Sequence, residues 1–302
     1  MPLTYTIAVI ADIHGNLPAL DAILTDLAKD QPLDGILAAG DLIVGPGQQQ
    51  VLHRLVKLGA VMIQGNNEQR IARMEAGTIP PYFYTARQFS LTRWAYEHLD
   101  PNQRALVYNL PEQTVFHLPG ADPIRMAHGS PRSVNELVLP DHCLPYYQKY
   151  YEMNPKPSPN QLDEIFELLE EPVLVVGHTH LPWCERRGNQ MIMNPGAVNF
   201  PLNGWVGAQY ALLHWDGGQW TPEFRAIPYD LEAFQRSNKD SGFLDSGFLA
   251  KLFLEEVRCG KAISFDFFLL AQKLADDAGV GQLQYFPDEI WERAGRDFRP
   301  IL

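Results

Sequence analysis

The chain has 302 residues, 46% hydrophobic and 20% charged, a balance that suits a globular protein with a sizeable core and excludes general disorder. With 24 Lys+Arg against 36 Asp+Glu the formal net charge is −12, which counts against a broad basic face for nucleic acid. A phosphate-bearing partner would have to be met by positive charge concentrated at one place, and a bound metal can supply it.

In chain order, residues 6–11 form a short apolar run that predicts a buried strand. Leu17, Leu20, Ile23, Leu24 and Leu27 then recur at helical spacing with Pro18 at the entry. Residues 35–39 predict a second strand. Val51, Leu52, Leu55, Val56 and Leu58 predict a second helix stopped by Gly59, and residues 60–63 a third strand. This βαβαβ order favours a parallel sheet with crossover helices.

Residues 80–110 read as a two-helix excursion broken at Asp100-Pro101. Segments 115–118 and 123–127 read as a hairpin, and 140–159 as a long Tyr- and Pro-rich loop. A helix over 162–170 and a strand over 172–177 follow. Residues 190–194, 209–215 and 220–227 read as antiparallel strands, and the pattern beyond Asp230 is helical.

No apolar run is long enough to cross a bilayer, and MPLTYTIAVIADIHG lacks the basic start and cleavage site of a secretory signal. Cys143, Cys184 and Cys259 are too dispersed for a disulfide framework or a thiolate zinc site. These features predict a cytoplasmic protein without a membrane partner.

Polar clusters stand where the predicted strands end: Asp12-Ile13-His14, Gly40-Asp41, Gly65-Asn66-Asn67-Glu68, His128-Gly129 and Gly177-His178-Thr179-His180. Strand ends are where open α/β sheets place ligands. Taken singly each cluster is a capping or turn signal. Together they offer two carboxylates, one amide and four imidazoles, a donor set suited to zinc, iron or manganese rather than to the oxygen-only shells of magnesium and calcium.

DIHGN at 12–16, GD at 40–41, GNNE at 65–68, HGSP at 128–131, GHTH at 177–180 and NPGA at 194–197 resemble, in order, the motifs of the calcineurin-like metallophosphoesterases, in particular the bacterial small phosphatases and phosphodiesterases. The resemblance spans roughly residues 5–228. It implies an α/β (α+β) fold, a four-layer αββα sandwich of two mixed β-sheets with flanking helices. A domain over residues 1–230, with the helical excursion at about 77–112, would be followed by a helical C-terminal extension over 231–302. It implies two divalent metal ions (Mn, Fe, Zn, Co or Ni): one held by Asp12, His14 and His180, the other by Asn66, His128 and His178, with Asp41 bridging. It further implies a phosphate-ester substrate attacked by a metal-bridging hydroxide. The absence of GxSxG and GxxxxGK motifs is in keeping with a reaction that needs no protein nucleophile.

The third block departs from the family's pattern, in which GNH places an imidazole that the resemblance implies protonates the leaving group or steadies the transition state. Here Asn67 stands in its place, and an amide can donate a hydrogen bond but no proton at neutral pH. Asn67 and Asp41 are the expected catalytic residues, and Asn16, Asn67 and Asn194 the expected substrate contacts. Asn16 also reads as a helix cap, Asn194 as a turn residue, and Glu68 as a first-turn helix acid or as a group orienting a ligand. Two other readings stand beside the enzyme: a metal-binding scaffold or regulatory protein weakened by Asn67, and a nuclease of a related branch. Tyr146, Tyr147, Tyr150 and Tyr151 read as a packed helix or a lid. The Phe-rich tail reads as packing on the sandwich or as a contact between copies of the chain.

Overall fold

Ile7 and Val9 are buried in one apolar cluster, while Ala8 and Ile10 from the same strand are buried in another. A strand buried on both faces must lie between two layers. In the computed structural model, which describes residues 3–29 and 32–299, it does. The described residues form ten strands: β1 (Tyr5–Ile10), β2 (Gly35–Ala38), β3 (Val61–Met62), β4 (Gln113–Phe116), β5 (Ile124–Ala127), β6 (Val173–Val175), β7 (Pro182–Arg187), β8 (Gln190–Pro195), β9 (Ala208–Trp215) and β10 (Trp220–Ile227).

One mixed sheet has the order β10-β9-β1-β2-β3, with β1, β2 and β3 parallel and β9 antiparallel to both of its neighbours, β1 and β10. The other has the order β4-β5-β6-β8-β7, parallel through β5, β6 and β8 and antiparallel at both edges. The sheets pack face to face. Ile7, Val9, Leu37 and Leu213 of the first meet Ile124, Met126, Val173, Val175, Met191 and Met193 of the second. Alternation sends Leu174 and Ile192 to the far side, against the helix Gln161–Leu168. On the far side of the first sheet lie the helices Leu17–Leu27 and Gln48–Lys57. Helix, sheet, sheet, helix is the expected four-layer sandwich.

The βαβαβ start, the 115–127 hairpin and the excursion are present, the last as helices Tyr82–Thr85, Ser90–Glu97 and Pro101–Asn109. One strand escaped the sequence pattern. Residues 190–194 do not pair with the 209–227 hairpin; their antiparallel partner is β7, in the other sheet. β7 opens on a proline and ends Glu-Arg-Arg, which fits an edge strand but hides it from an apolar-run criterion.

Beyond Asp230 the chain forms helices Leu231–Asp240, Phe248–Cys259, Ile263–Asp277 and Asp288–Asp297. Their apolar residues, Phe267 and Trp291 among them, belong to the same continuous core as Ala8 and Ile10. The phenylalanine-rich tail is thus packed on the sandwich. No helix among the described residues is long and apolar enough to cross a membrane.

Candidate metal centre

Every cluster singled out in the sequence follows a strand end at the same edge of the sandwich. The loops after β1 and β2 continue the sheet's ladder: Asp12 N–H donates to Gly40 O (3.1 Å) and His14 N–H to Asp41 O (2.9 Å). In the other sheet Gly177 N–H donates to His128 O (2.7 Å), joining the loops after β5 and β6. The two sheets meet where His178 N–H donates to the Asp12 carboxylate at 3.1–3.2 Å.

The backbone here is strained. Among the described residues, the non-glycine positions with φ in the left-handed region are Asp12, His14, Asp41, Val44, His178, His180 and Phe200. Five of these are expected ligands. Such conformations cost about 1–3 kcal/mol each and persist where the surroundings over-determine them, characteristically at functional sites. Gly65 lets the third loop come close: a Cβ there would fall 2.2 Å from Asp41 Oδ1 and 2.4 Å from Asp41 N.

The interior of this cluster is a convergence of acceptors. His128 Nδ1 sits 2.8 Å from Ala39 O and His180 Nδ1 2.9 Å from Phe200 O. A carbonyl only accepts, so both Nδ1 atoms carry the hydrogen and both Nε2 atoms turn lone pairs inward. His180 Nε2 faces Asp12 Oδ1 at 3.4 Å, and His128 Nε2 faces Asp41 Oδ1 at 3.6 Å. His14 Nε2 lies 3.3 Å from His180 Nε2 and 3.6 Å from Asp41 Oδ2. The Asn66 carbonyl oxygen lies 2.9 Å from His178 Nδ1, 3.2 Å from His128 Nε2 and 3.3 Å from Asp41 Oδ2. Turning that amide over would aim its two N–H groups at these neighbours. A cation satisfies the whole set, and the residues therefore fit the metal that the sequence pattern implies. Asp12, His14 and His180 form one potential ligand group, and Asp12, Asp41 and His128 another, each with donor atoms within 4.8 Å of one another.

Electrostatics favour the neutral form at two of the four imidazoles. Burial lowers His14 to a pKa of about 4 and His178 to about 3, so both are neutral imidazoles with a lone pair to give. His180 is raised: burial pulls it down, but the Asp12 carboxylate more than compensates. Asp12 and Asp41 are held below the ordinary carboxylate range; burial opposes this, and the surrounding imidazoles prevail.

Glu68 combines both roles read for it. It sits in the first turn of the helix Asn66–Glu75, fully buried, and accepts the backbone N–H groups of Gly65 (2.8 Å), Asp41 (2.8 Å), Leu42 (2.8 Å) and Ile43 (3.1 Å). It thereby fixes the loop that carries Asp41. Burial and the Asp41 charge push it up to about 7, against the pull of these donors. Asn67 donates to Asp41 twice, through its backbone N–H (2.9 Å to Oδ1) and its amide (2.6 Å to Oδ2).

Arg70 is a residue that the sequence reading passed over. It lies one helical turn beyond Asn67, lines the cleft over the cluster, and donates from Nη1 to Asn67 Oδ1 at 3.0 Å. The signal that could have found it is its i+3 spacing from Asn67, which puts both on one helix face.

Two expected substrate contacts lie elsewhere. Asn16 is fully buried; its Oδ1 caps the helix Leu17–Leu27 through Ala19 N–H (3.1 Å), and its amide donates to Asn199 Oδ1 (2.9 Å) and Tyr229 OH (3.0 Å). Asn194 is equally buried, donating to Gly177 O (2.6 Å) and Thr179 Oγ1 (3.0 Å) and accepting from Gly196 N–H (2.9 Å). Neither lines the cleft; Asn194 shapes the loop that carries His178 and His180. That loop is also held by Tyr147, whose buried hydroxyl donates to Thr179 O at 2.9 Å.

Comparison with known proteins places this site in a family. Residues 5–218 match the calcineurin-like phosphoesterase superfamily domain. A Methanocaldococcus jannaschii protein described only as uncharacterized is 23% identical over 244 residues, 75% of this chain and 88% of that protein. The crystal structure of a metallophosphoesterase from Sphaerobacter thermophilus is similar with a TM-score of 0.63 at 21% identity, over 85% of this chain and 99% of that one. A hypothetical protein from Pyrococcus horikoshii gives 0.66 at 21%, over 85% and 100%. At such identities the structural likeness speaks for the fold, and the domain match speaks for the family. The chain belongs to the calcineurin-like phosphoesterase superfamily and is a metallophosphoesterase, a hydrolase acting on phosphate esters.

Proposed function

We propose that this chain hydrolyses phosphate mono- or diesters with good leaving groups at a pair of divalent cations. Asp12, His14 and His180 hold one ion, Asn66, His128 and His178 the other, and Asp41 is shared. The observation that carries this reading is the convergence of three imidazole Nε2 atoms on the Asp12 and Asp41 oxygens at 3.4–3.6 Å, with the Nδ1–H groups of His128 and His180 committed to backbone carbonyls. Bound there, two divalent ions would acidify a water into a nucleophile and offset charge on the phosphoryl oxygens.

The chain's own groups set the rest. Ala39 O and Phe200 O keep His128 and His180 in the tautomer that turns Nε2 inward. Arg70 extends its guanidinium into the cleft beside Asn67, where it can take a phosphate oxygen as a charge-assisted partner. Asn67 orients the Asp41 carboxylate and has no proton to release to a leaving group. Esters whose leaving group is already a stable anion suit such a site best. Manganese, iron, zinc, cobalt and nickel all accept this nitrogen and oxygen set.

The test is to strip the full chain with chelator, titrate it with Mn²⁺, and follow p-nitrophenol release from p-nitrophenyl phosphate and bis(p-nitrophenyl) phosphate alongside metal analysis. Two ions per chain with metal-stimulated release support the reading. Metal uptake without release from either ester would return the protein to the scaffold reading.

A further inference from the structure

The open cleft over the candidate ligands has a volume of about 480 Å³, within the range of small-molecule sites. Its floor is His14, Asp41, Asn66, His178 and His180. Its walls are of another character. The excursion contributes Phe89 and Leu91, and the C-terminal helices contribute Leu249, Phe253, Phe265 and Phe268. All four of the latter lie beyond residue 218, where the family match ends. Phe200 connects floor to wall, its ring near-parallel to His180 at 6.1 Å and tilted 51° against Phe253 at 5.2 Å. Phe265 stands 5.4 Å from the ring of Tyr147, which also lines the cleft.

Charge is scarce on these walls. Among the lining residues outside the expected ligands, the only charged types are Arg70 and Glu256, and Glu256 is buried and accepts the N–H of Ser264 at 2.6 Å. Phe253, Phe265 and Phe268 remain partly exposed although the core beneath them is closed. Rings left partly open beside a polar floor offer faces and edges to another ring.

We infer that the C-terminal helices build an aromatic binding wall that selects phosphate esters bearing a flat aromatic group. This rests on the phosphoesterase site proposed above. The phosphate lies on the floor beside Arg70, and the ring system lies against Phe253, Phe265 and Phe268.

Non-hydrolysable probes separate binding from turnover. The Mn²⁺-loaded full chain is titrated calorimetrically with methylphosphonate, cyclohexylphosphonate and phenylphosphonate. Phenylphosphonate is expected to bind about ten-fold more tightly than methylphosphonate and measurably more tightly than cyclohexylphosphonate. Phe253→Leu keeps apolar volume and removes a ring, and Phe268→Ala removes a second; each should at least halve the preference, and a cooperative melt checks that each variant is folded. Equal affinity for all three probes, or a preference untouched in both folded variants, overturns the aromatic wall alone. Failure of every phosphonate to bind the metal-loaded chain overturns the site on which the wall rests as well.

Discussion

Arg70 Nη1 donates to Asn67 Oδ1 at 3.0 Å, while the amide of the same Asn67 donates to Asp41 Oδ2 at 2.6 Å. Arginine, amide and carboxylate form a chain from the cleft wall to Asp41, the ligand proposed to be shared. Both ends of the Asn67 amide are used, which fixes its orientation and leaves the guanidinium aimed at the cleft. Arg70→Ala should therefore lower kcat/KM for bis(p-nitrophenyl) phosphate by about 10–100-fold while metal content stays at the wild-type level. Arg70→Lys should recover only part of the loss, because an ammonium lacks the planar fork. Steady-state kinetics with metal analysis of each variant decide it; unchanged kcat/KM in Arg70→Ala would remove Arg70 from the substrate site.

Asn67→His tests the leaving-group argument. If the missing proton donor limits the enzyme, an imidazole at this position should raise hydrolysis of alkyl monoesters by about 10²-fold and leave esters of acidic phenols much less affected. A linear free-energy plot against leaving-group pKa reads this directly. An unaltered slope would show that proton donation is not what position 67 controls.

Glu68→Gln replaces one acceptor oxygen with an amide that faces backbone N–H groups now served by the carboxylate. The loop carrying Asp41 should loosen, and metal affinity should fall about 10–100-fold, the usual effect of losing a group that orients a ligand. Competition with a calibrated chelator measures it. Wild-type affinity in the variant would mean that the loop is held by the strand ends alone.

Glu256 supplies a pH dependence. Burial raises its pKa to about 7 from 4.5, so the folded chain holds a proton that the unfolded chain has already released. For a raised carboxyl, stability is greatest below the unfolded value and declines as pH rises through the folded one. The decline amounts to about 3 kcal/mol at most and is complete somewhat above pH 7. Glu256→Gln keeps an acceptor for Ser264 N–H and cannot ionise. Chemical denaturation between pH 5 and 8 should show a flatter profile for the variant, and greater stability than wild type at pH 8. Parallel profiles would refute the assignment.

The candidate ligands were readable as a set because each follows an apolar run, where a change from strand period to polar residues marks a strand end. Asp12, Asp41, His128 and His178 needed only that local signal. What could not be read was non-local. Arg70 looks like any solvated arginine on a helix until the cleft is known. Asn16 and Asn194 carry the right chemistry near the motifs, yet their partners, Asn199, Tyr229, Gly177 and Thr179, were chosen by packing. Phe253 and Phe268 lie more than two hundred residues from Asp41, and no periodicity links them. β7 hid because an edge strand can be polar where it meets water.

The handshake between the sheets has one more consequence. Asp12 and Asp41 come from one sheet, and His128 and His180 from the other, so cations held in these two ligand groups would rivet the two halves of the sandwich at their common rim. Loading and folding are then linked: ions that bind the closed rim and not the unfolded chain hold it shut by mass action. A chain starved of metal would unzip from this rim, exposing the β1 and β6 ends to solvent exchange before the opposite end of the sandwich.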